Sequence, residues 1–188
     1  MTEEQLVRKS KYLSKHLRHS PESIGLTLQE GGWVDVDDLL AACARNRFAL
    51  SRAELDEVVE NNSKKRFSFD ESGTRIRANQ GHSVDVDLQL SQTVPPDVLY
   101  HGTGHKTVAL ILGEGISKMN RHHVHLSADV ETATRVGARH GRPVVLRVDA
   151  KAMSAEGYSF YVSDNGVWLV ESVPAAFLSP LTNLEDVL

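Results

Sequence analysis

Six of the nine histidines fall between residues 101 and 140, and three share one run, Arg121-His122-His123-Val124-His125-Leu126-Ser127. Read as a strand, this run alternates its side chains between two faces, so Arg121, His123, His125 and Ser127 share one side. His122, Val124 and Leu126 point the other way, and two of those are core residues. A face bearing a guanidinium and two imidazoles makes a poor core and a good receptor for a phosphorylated ligand. Upstream, Tyr100-His101-Gly102-Thr103-Gly104 reads as a strand that ends in a histidine, glycines and a hydroxyl. Such a turn exposes backbone N–H groups beside a helix start, which suits an anionic or amide-bearing ligand. An ordinary strand-to-helix turn reads the same way.

His101, His123 and His125 could bind zinc, but no carboxylate or fourth ligand lies at a helpful spacing, so no metal is expected. For His122 and His140 a satisfied structural histidine is the simpler reading. Arg18-His19 stands at the end of the first predicted helix, where cations also suit the helix dipole. Lys64-Lys65-Arg66 precedes a predicted hairpin and reads otherwise as a solvated charge run. Both clusters occupy positions from which a helical lobe can meet a nucleic-acid backbone. If the lobes face each other, Arg18, His19, Arg66 and Arg121 converge on one phosphate. The forked guanidinium fits phosphate oxygens better than a point ammonium does.

The elements that must carry these groups follow from periodicity. Residues 3–19 read as a helix, with Leu6, Leu13 and Leu17 on one stripe and Arg8, Lys11, Lys15 and Arg18 on another. Ser20-Pro21 ends it. Gly31-Gly32 leads into a short Trp33-Val34 strand, and Asp35 caps a helix to about Arg45. Ser51-Arg52-Ala53-Glu54 is a capping-box pattern that opens a third helix to about Asn61. Segments 66–69 and 74–77 then form a β-hairpin. Helices followed by a small hairpin predict a winged-helix module over residues 1–80. Residues 81–97 read as a linker with one alternating stretch, Val84-Asp85-Val86-Asp87-Leu88. Over 98–188, strands near 98–101, 122–127, 144–148, 158–162 and 167–170 alternate with helices near 105–113 and 130–140. The fold class is α+β.

Composition sets the outer bounds. The chain has 188 residues, 40% hydrophobic and 24% charged, as in a globular protein. No run approaches the length a bilayer requires, and the polar start Met1-Thr2-Glu3-Glu4-Gln5 is no signal peptide. A single cysteine, Cys43, excludes an internal disulfide and fits a reducing cytoplasm. The net charge of −4 argues against indiscriminate coating of nucleic acid. Yet residues 1–80 are balanced, with 13 Lys+Arg against 13 Asp+Glu, and their basic residues cluster.

At these residues the chain resembles a known family, the RNA 2′-phosphotransferases (tRNA 2′-phosphotransferases). The matching segments run nearly end to end. They are Ser10-Lys11-Tyr12-Leu13-Ser14-Lys15-His16-Leu17-Arg18-His19, Gly31-Gly32-Trp33-Val34, Lys65-Arg66-Phe67 and Arg77-Ala78-Asn79-Gln80-Gly81-His82-Ser83, then Tyr100-His101-Gly102-Thr103, Arg121–Ser127 and Asn165-Gly166-Val167-Trp168. The resemblance implies a winged-helix RNA lobe followed by a lobe of the ADP-ribosyltransferase fold that binds NAD. It implies a catalytic set on Arg18, His19, Arg66 and Arg121, and a transferase triad on His101, His125 and Val170. Gly102, Thr103, Ser127 and Arg139 join the NAD-binding candidates, although Arg139 equally reads as a helix-end cation beside Gly141. Lys15 and Lys65 join Arg18 and Arg66 as candidates for the RNA. Ala175 and Gln29 depart from the family pattern without touching the active set.

The implied reaction removes an internal RNA 2′-phosphate, as left by tRNA splicing, and consumes NAD without a metal. It yields 2′-hydroxyl RNA, nicotinamide and ADP-ribose 1″,2″-cyclic phosphate. A monomer acting in the cytoplasm is expected. A phosphate nucleophile is already anionic and needs no general base. An apolar residue where many ADP-ribosyltransferases carry a glutamate therefore removes a repulsion on the order of 1–4 kcal/mol at ~4 Å. An ADP-ribosyltransferase that caps terminal RNA or DNA phosphates shares every residue named. An NAD-sensing winged-helix regulator would need a basic third helix. Glu54, Asp56, Glu57 and Glu60 against Arg52 make that helix too acidic for a DNA groove.

Overall fold

A computed structural model describes residues 1–62, 64–84 and 86–181, and divides the chain into two compact units, Met1–Gln89 and Leu90 onward. The architecture is α+β. The division falls inside the stretch read as a linker. Its first part belongs to the first unit, because Leu88 and His82 are buried there and the Gly31 N–H donates to the Asp87 carbonyl at 3.0 Å. The alternating stretch around Val84 and Val86 forms no strand among its described residues.

In the first unit α1 (Glu3–Arg18) begins on a Thr2–Gln5 capping box and buries Leu13 and Leu17. Each of those leucines contributes roughly 1.5–3 kcal/mol by leaving water. Strand β1 (Val34–Asp35) is followed at once by α2 (Val36–Arg45), whose N-cap Asp35 accepts from the Asp37 N–H. The expected capping box of Ser51 and Glu54 opens α3 (Arg52–Glu60). Strands β2 (Phe67–Phe69) and β3 (Arg75–Ala78) form the antiparallel hairpin, and the sheet order is β1-β3-β2. Leu13, Leu17, Val34, Leu39, Leu55, Val58, Phe67 and Ile76 make one core between helices and sheet.

The second unit starts with β4 (Val98–Gly104), three residues longer than expected, and α4 (His105–Glu114) follows without a break. Next come β5 (Ile116–Ser117), β6 (Val124–Leu126), α5 (Val130–Gly137), β7 (Pro143–Asp149) and α6 (Ala150–Ala155). Strands β8 (Phe160–Val162), β9 (Trp168–Val170), β10 (Ser172–Val173) and β11 (Leu178–Pro180) complete the described chain. One antiparallel sheet has the order β11-β7-β4 and another β6-β9-β8, with β5 and β10 as a separate pair. Leu99 and Val148 from the first sheet share a core with Val124, Leu126, Phe160 and Val170 from the second. The helix expected over 130–140 stops at Gly137 and ends in a 3-10 turn, Ala138–His140.

Candidate active site

Two groups of predicted site residues are assembled, one within each unit. In the second unit, β4 and β6 are tied by Tyr100 and Ser127, which exchange backbone hydrogen bonds of 2.9 and 2.8 Å. This pairing brings His101 to His125, whose carbonyl accepts from the His101 Nδ1 at 3.3 Å. A carbonyl only accepts, so the His101 proton sits on Nδ1 and Nε2 keeps its lone pair. Burial pushes the His101 pKa below the ordinary imidazole value. The bond to His125 opposes that shift, and charge on His140 adds to it.

Arg121 lies outside the strand, in the exposed turn before β6, so the strand face read from sequence is shorter than its seven residues. Its guanidinium still reaches the expected neighbour, with Nη1 3.4 Å from His125 Nδ1. Arginine can only donate, so that contact requires His125 to accept on Nδ1 and to carry its proton on Nε2. The two imidazoles thus present opposite capacities, an acceptor on His101 and a donor on His125. His123 packs against the Tyr161 ring at 5.5 Å, and burial first, then the nearby His122 and Lys118, lowers its pKa despite the opposing Glu171. Among the described residues no cluster of three His, Cys, Asp or Glu is placed to hold a metal ion.

In the first unit, Arg18 and His19 end α1, with His19 as the C-cap. The Ser83 N–H donates to the Arg18 carbonyl at 2.9 Å, and the Ser83 hydroxyl lies 2.9 Å from His19 Nδ1. Arg66 donates from Nη1 to Asn62 Oδ1 at 3.2 Å, and the Asn62 amide donates in turn to Ser10 on α1 at 3.2 Å. Lys15 and Lys65 are exposed. Asn62, Asn79 and Ser83 had no assigned role in the sequence. Asn79 and Ser83 reach Arg66 and His19 across longer sequence separations, whereas Asn62 lies only four residues from Arg66.

The chain has relatives among known proteins. Residues 4–172 match the model of the RNA 2'-phosphotransferase, Tpt1 / KptA family. The chain belongs to that family. A "Probable RNA 2'-phosphotransferase" of Nostoc punctiforme is 61% identical over 181 residues, covering 96% of this chain and 100% of that protein. Those of Trichormus variabilis and Streptomyces coelicolor are 61% and 58% identical, each covering 95% of this chain and 98% and 97% of their own. No helix among the described residues is long and apolar enough to cross a membrane.

Packing gives two of the expected site residues a structural setting. Val170, placed in the transferase triad on sequence resemblance, pairs with Val124 and Phe160 and is 1% exposed in the core. His125 pairs instead with Leu169, so alternation sets Val170 on the opposite sheet face from His125. Continuing the hairpin, the Ser163 N–H donates to the Val167 carbonyl at 2.9 Å, which puts half-buried Val167 on the His125 face. Leu169, directly across from His125, and Val167, two residues before it, are the apolar residues that β9 and its approach present on that face. Gly102 also has a structural reason to be glycine. A Cβ there would fall on the Ala133 carbonyl of α5. The Thr103 hydroxyl is 2.7 Å from that of Thr107, and Arg139 is exposed on the turn after α5.

Proposed function

We propose that this member of the family removes an internal 2′-phosphate from RNA by transferring it to the ADP-ribose of NAD. The observation that carries the reading is the 61% identity with a named RNA 2'-phosphotransferase along that protein's whole length. The reading also assigns the first unit as a winged-helix RNA lobe and the second as an NAD-binding ADP-ribosyltransferase fold. Clustered basic residues in the former and paired imidazoles in the latter support it.

In the first step an oxygen of the RNA 2′-phosphate bonds to C1″ of NAD, and nicotinamide leaves with the electrons of the broken glycosidic bond. His101 Nε2 accepts from a ribose hydroxyl, and the His125 Nε2–H serves as donor on the nicotinamide side. Leu169 and Val167, the apolar residues on the His125 face, bring no charge to oppose an incoming phosphate. In the second step O2″ of the ribose passes its proton to His19 and bonds to phosphorus, and the bond from phosphorus to the RNA 2′-oxygen breaks. His19 supplies the proton that the leaving 2′-oxygen takes up, and Arg18, Arg66 and Arg121 neutralise charge on the phosphoryl oxygens. Lys15 and Lys65 hold the RNA backbone.

The test is incubation with an oligonucleotide bearing one internal 2′-phosphate, with and without NAD, followed by mass analysis. Loss of phosphate only with NAD, alongside nicotinamide and a cyclic phosphate of ADP-ribose, is expected, and EDTA leaves the rate unchanged. A stable ADP-ribosylated product on a terminal phosphate, with the 2′-phosphate untouched, would replace the reading with a capping activity.

A further inference from the structure

The segment Arg77-Ala78-Asn79-Gln80-Gly81-His82-Ser83 carries no role in the proposed chemistry, yet alternate residues of it touch each candidate catalytic group of the first unit. Asn79 is 2% exposed, and its backbone N–H donates to the Arg66 carbonyl at 2.9 Å. Its side-chain amide donates to the Lys65 carbonyl at 2.7 Å, holding a residue whose φ of +40° lies in the left-handed region. Gly81, at φ +86°, packs on the Arg18 guanidinium, with Nη1 3.6 Å from where a Cβ would stand. Ser83 meets His19. His82 is buried, its Nε2 3.3 Å from the Cβ position of Gly32, which seats the strap against the body of the unit.

We infer that residues 79–83 are a positioning strap and that Ser83 is the residue that orients the His19 imidazole for proton transfer. The reason lies in the two anchors of Ser83. Its backbone N–H is fixed to the Arg18 carbonyl, one residue before His19, so the hydroxyl is carried on main chain tied to the end of α1. Its Oγ lies 2.9 Å from His19 Nδ1, and in this proposal that contact sets the ring so that Nε2 serves the substrate. His19 is exposed at a helix terminus, and an exposed ring there samples several rotamers unless a partner holds it. Ser83 acts through His19 and touches no reacting atom.

This inference rests on the reading of His19 as proton donor, so the test has one arm with activity and one without. Steady-state and quench kinetics on the 2′-phosphorylated oligonucleotide compare Ser83→Ala, Ser83→Thr, His19→Ala and the double variant. Ser83→Ala should lower kcat by ~10- to 10²-fold, as expected for a misplaced catalytic group, with KM for NAD unchanged. Ser83→Thr restores most of the rate. Ser83→Ala added to His19→Ala costs nothing further, because residues acting through one group are non-additive. A wild-type rate in Ser83→Ala, or a multiplicative loss in the double variant, overturns the inference. Independently, ¹⁵N resonances of the His19 ring in the protein alone should shift in Ser83→Ala, and unshifted resonances overturn it as well. A wild-type protein inert towards this RNA would remove the function, and the ring resonances would then decide the hydrogen bond alone.

Discussion

The imidazole of His101 hands its Nδ1 proton to the main-chain oxygen of His125 at 3.3 Å. That contact joins β4 to β6 and fixes the tautomer of a ring whose burial already favours the neutral form. The folded pKa lies below the unfolded value, so between the two the unfolded chain binds more protons. The associated stability is therefore present above the unfolded imidazole pKa of ~6.5 and is lost as pH falls towards the folded value. Denaturant titrations near pH 5 and pH 7.5 should show wild type weaker at the lower pH, with a smaller gap in His101→Gln. An undiminished gap in the variant would place the pH sensitivity elsewhere.

Arg121 donates to His125 and is the only family-predicted arginine of the catalytic set in the second unit. Arg121→Ala should let the first step proceed and slow the second by about 10²–10³-fold, since charge on the phosphoryl oxygens grows most in the second. Rapid quench should then show ADP-ribosylated RNA accumulating. Unreacted RNA without that intermediate would assign Arg121 to the first step.

Gly102→Ala tests whether that glycine is set by packing. The added methyl meets the Ala133 carbonyl, which is backbone and cannot swing aside. Overpacking of this kind costs typically 1–3 kcal/mol and here should reach or exceed the upper end. The expected result is a lower thermal midpoint before any question of ligand arises; an unchanged midpoint means that α5 moves freely on β4.

The two valines separate by face. Val170→Glu buries an unpaired carboxylate in the core, a change on the order of several kcal/mol, and should yield little folded protein. Val167→Glu is half-buried beside the hairpin turn and should fold, while the new charge slows acceptance of an anionic phosphate. Equal tolerance of both substitutions would contradict the register of β6, β8 and β9.

Much of this architecture is visible in the chain because its signals are local. Leu13 and Leu17 lie on the stripe expected of α1, Ser51 and Glu54 cap α3, and the 67–78 hairpin closes on its turn. Six-residue α6 has no comparable periodic run, and β5, β10 and β11 exist only through distant partners, Ile116 with Val173 and Leu178 with Val148. The same difference governs the site. Arg121 and His125 are four residues apart and readable as neighbours. His19 and Ser83 are 64 apart, and an exposed serine carries no mark of the ring it will meet. Alternation separates Val170 from Glu171, but only cross-strand pairing says which face His125 occupies.

The phosphorus itself gives the most direct test. An oligonucleotide carrying ³²P solely in its internal 2′-phosphate, incubated with the protein and NAD, should deliver the label to ADP-ribose as a cyclic phosphate, by way of an RNA-bound adduct. Label appearing as inorganic phosphate, with NAD intact, would mean that water accepts the group and would contradict the transfer at the centre of this account.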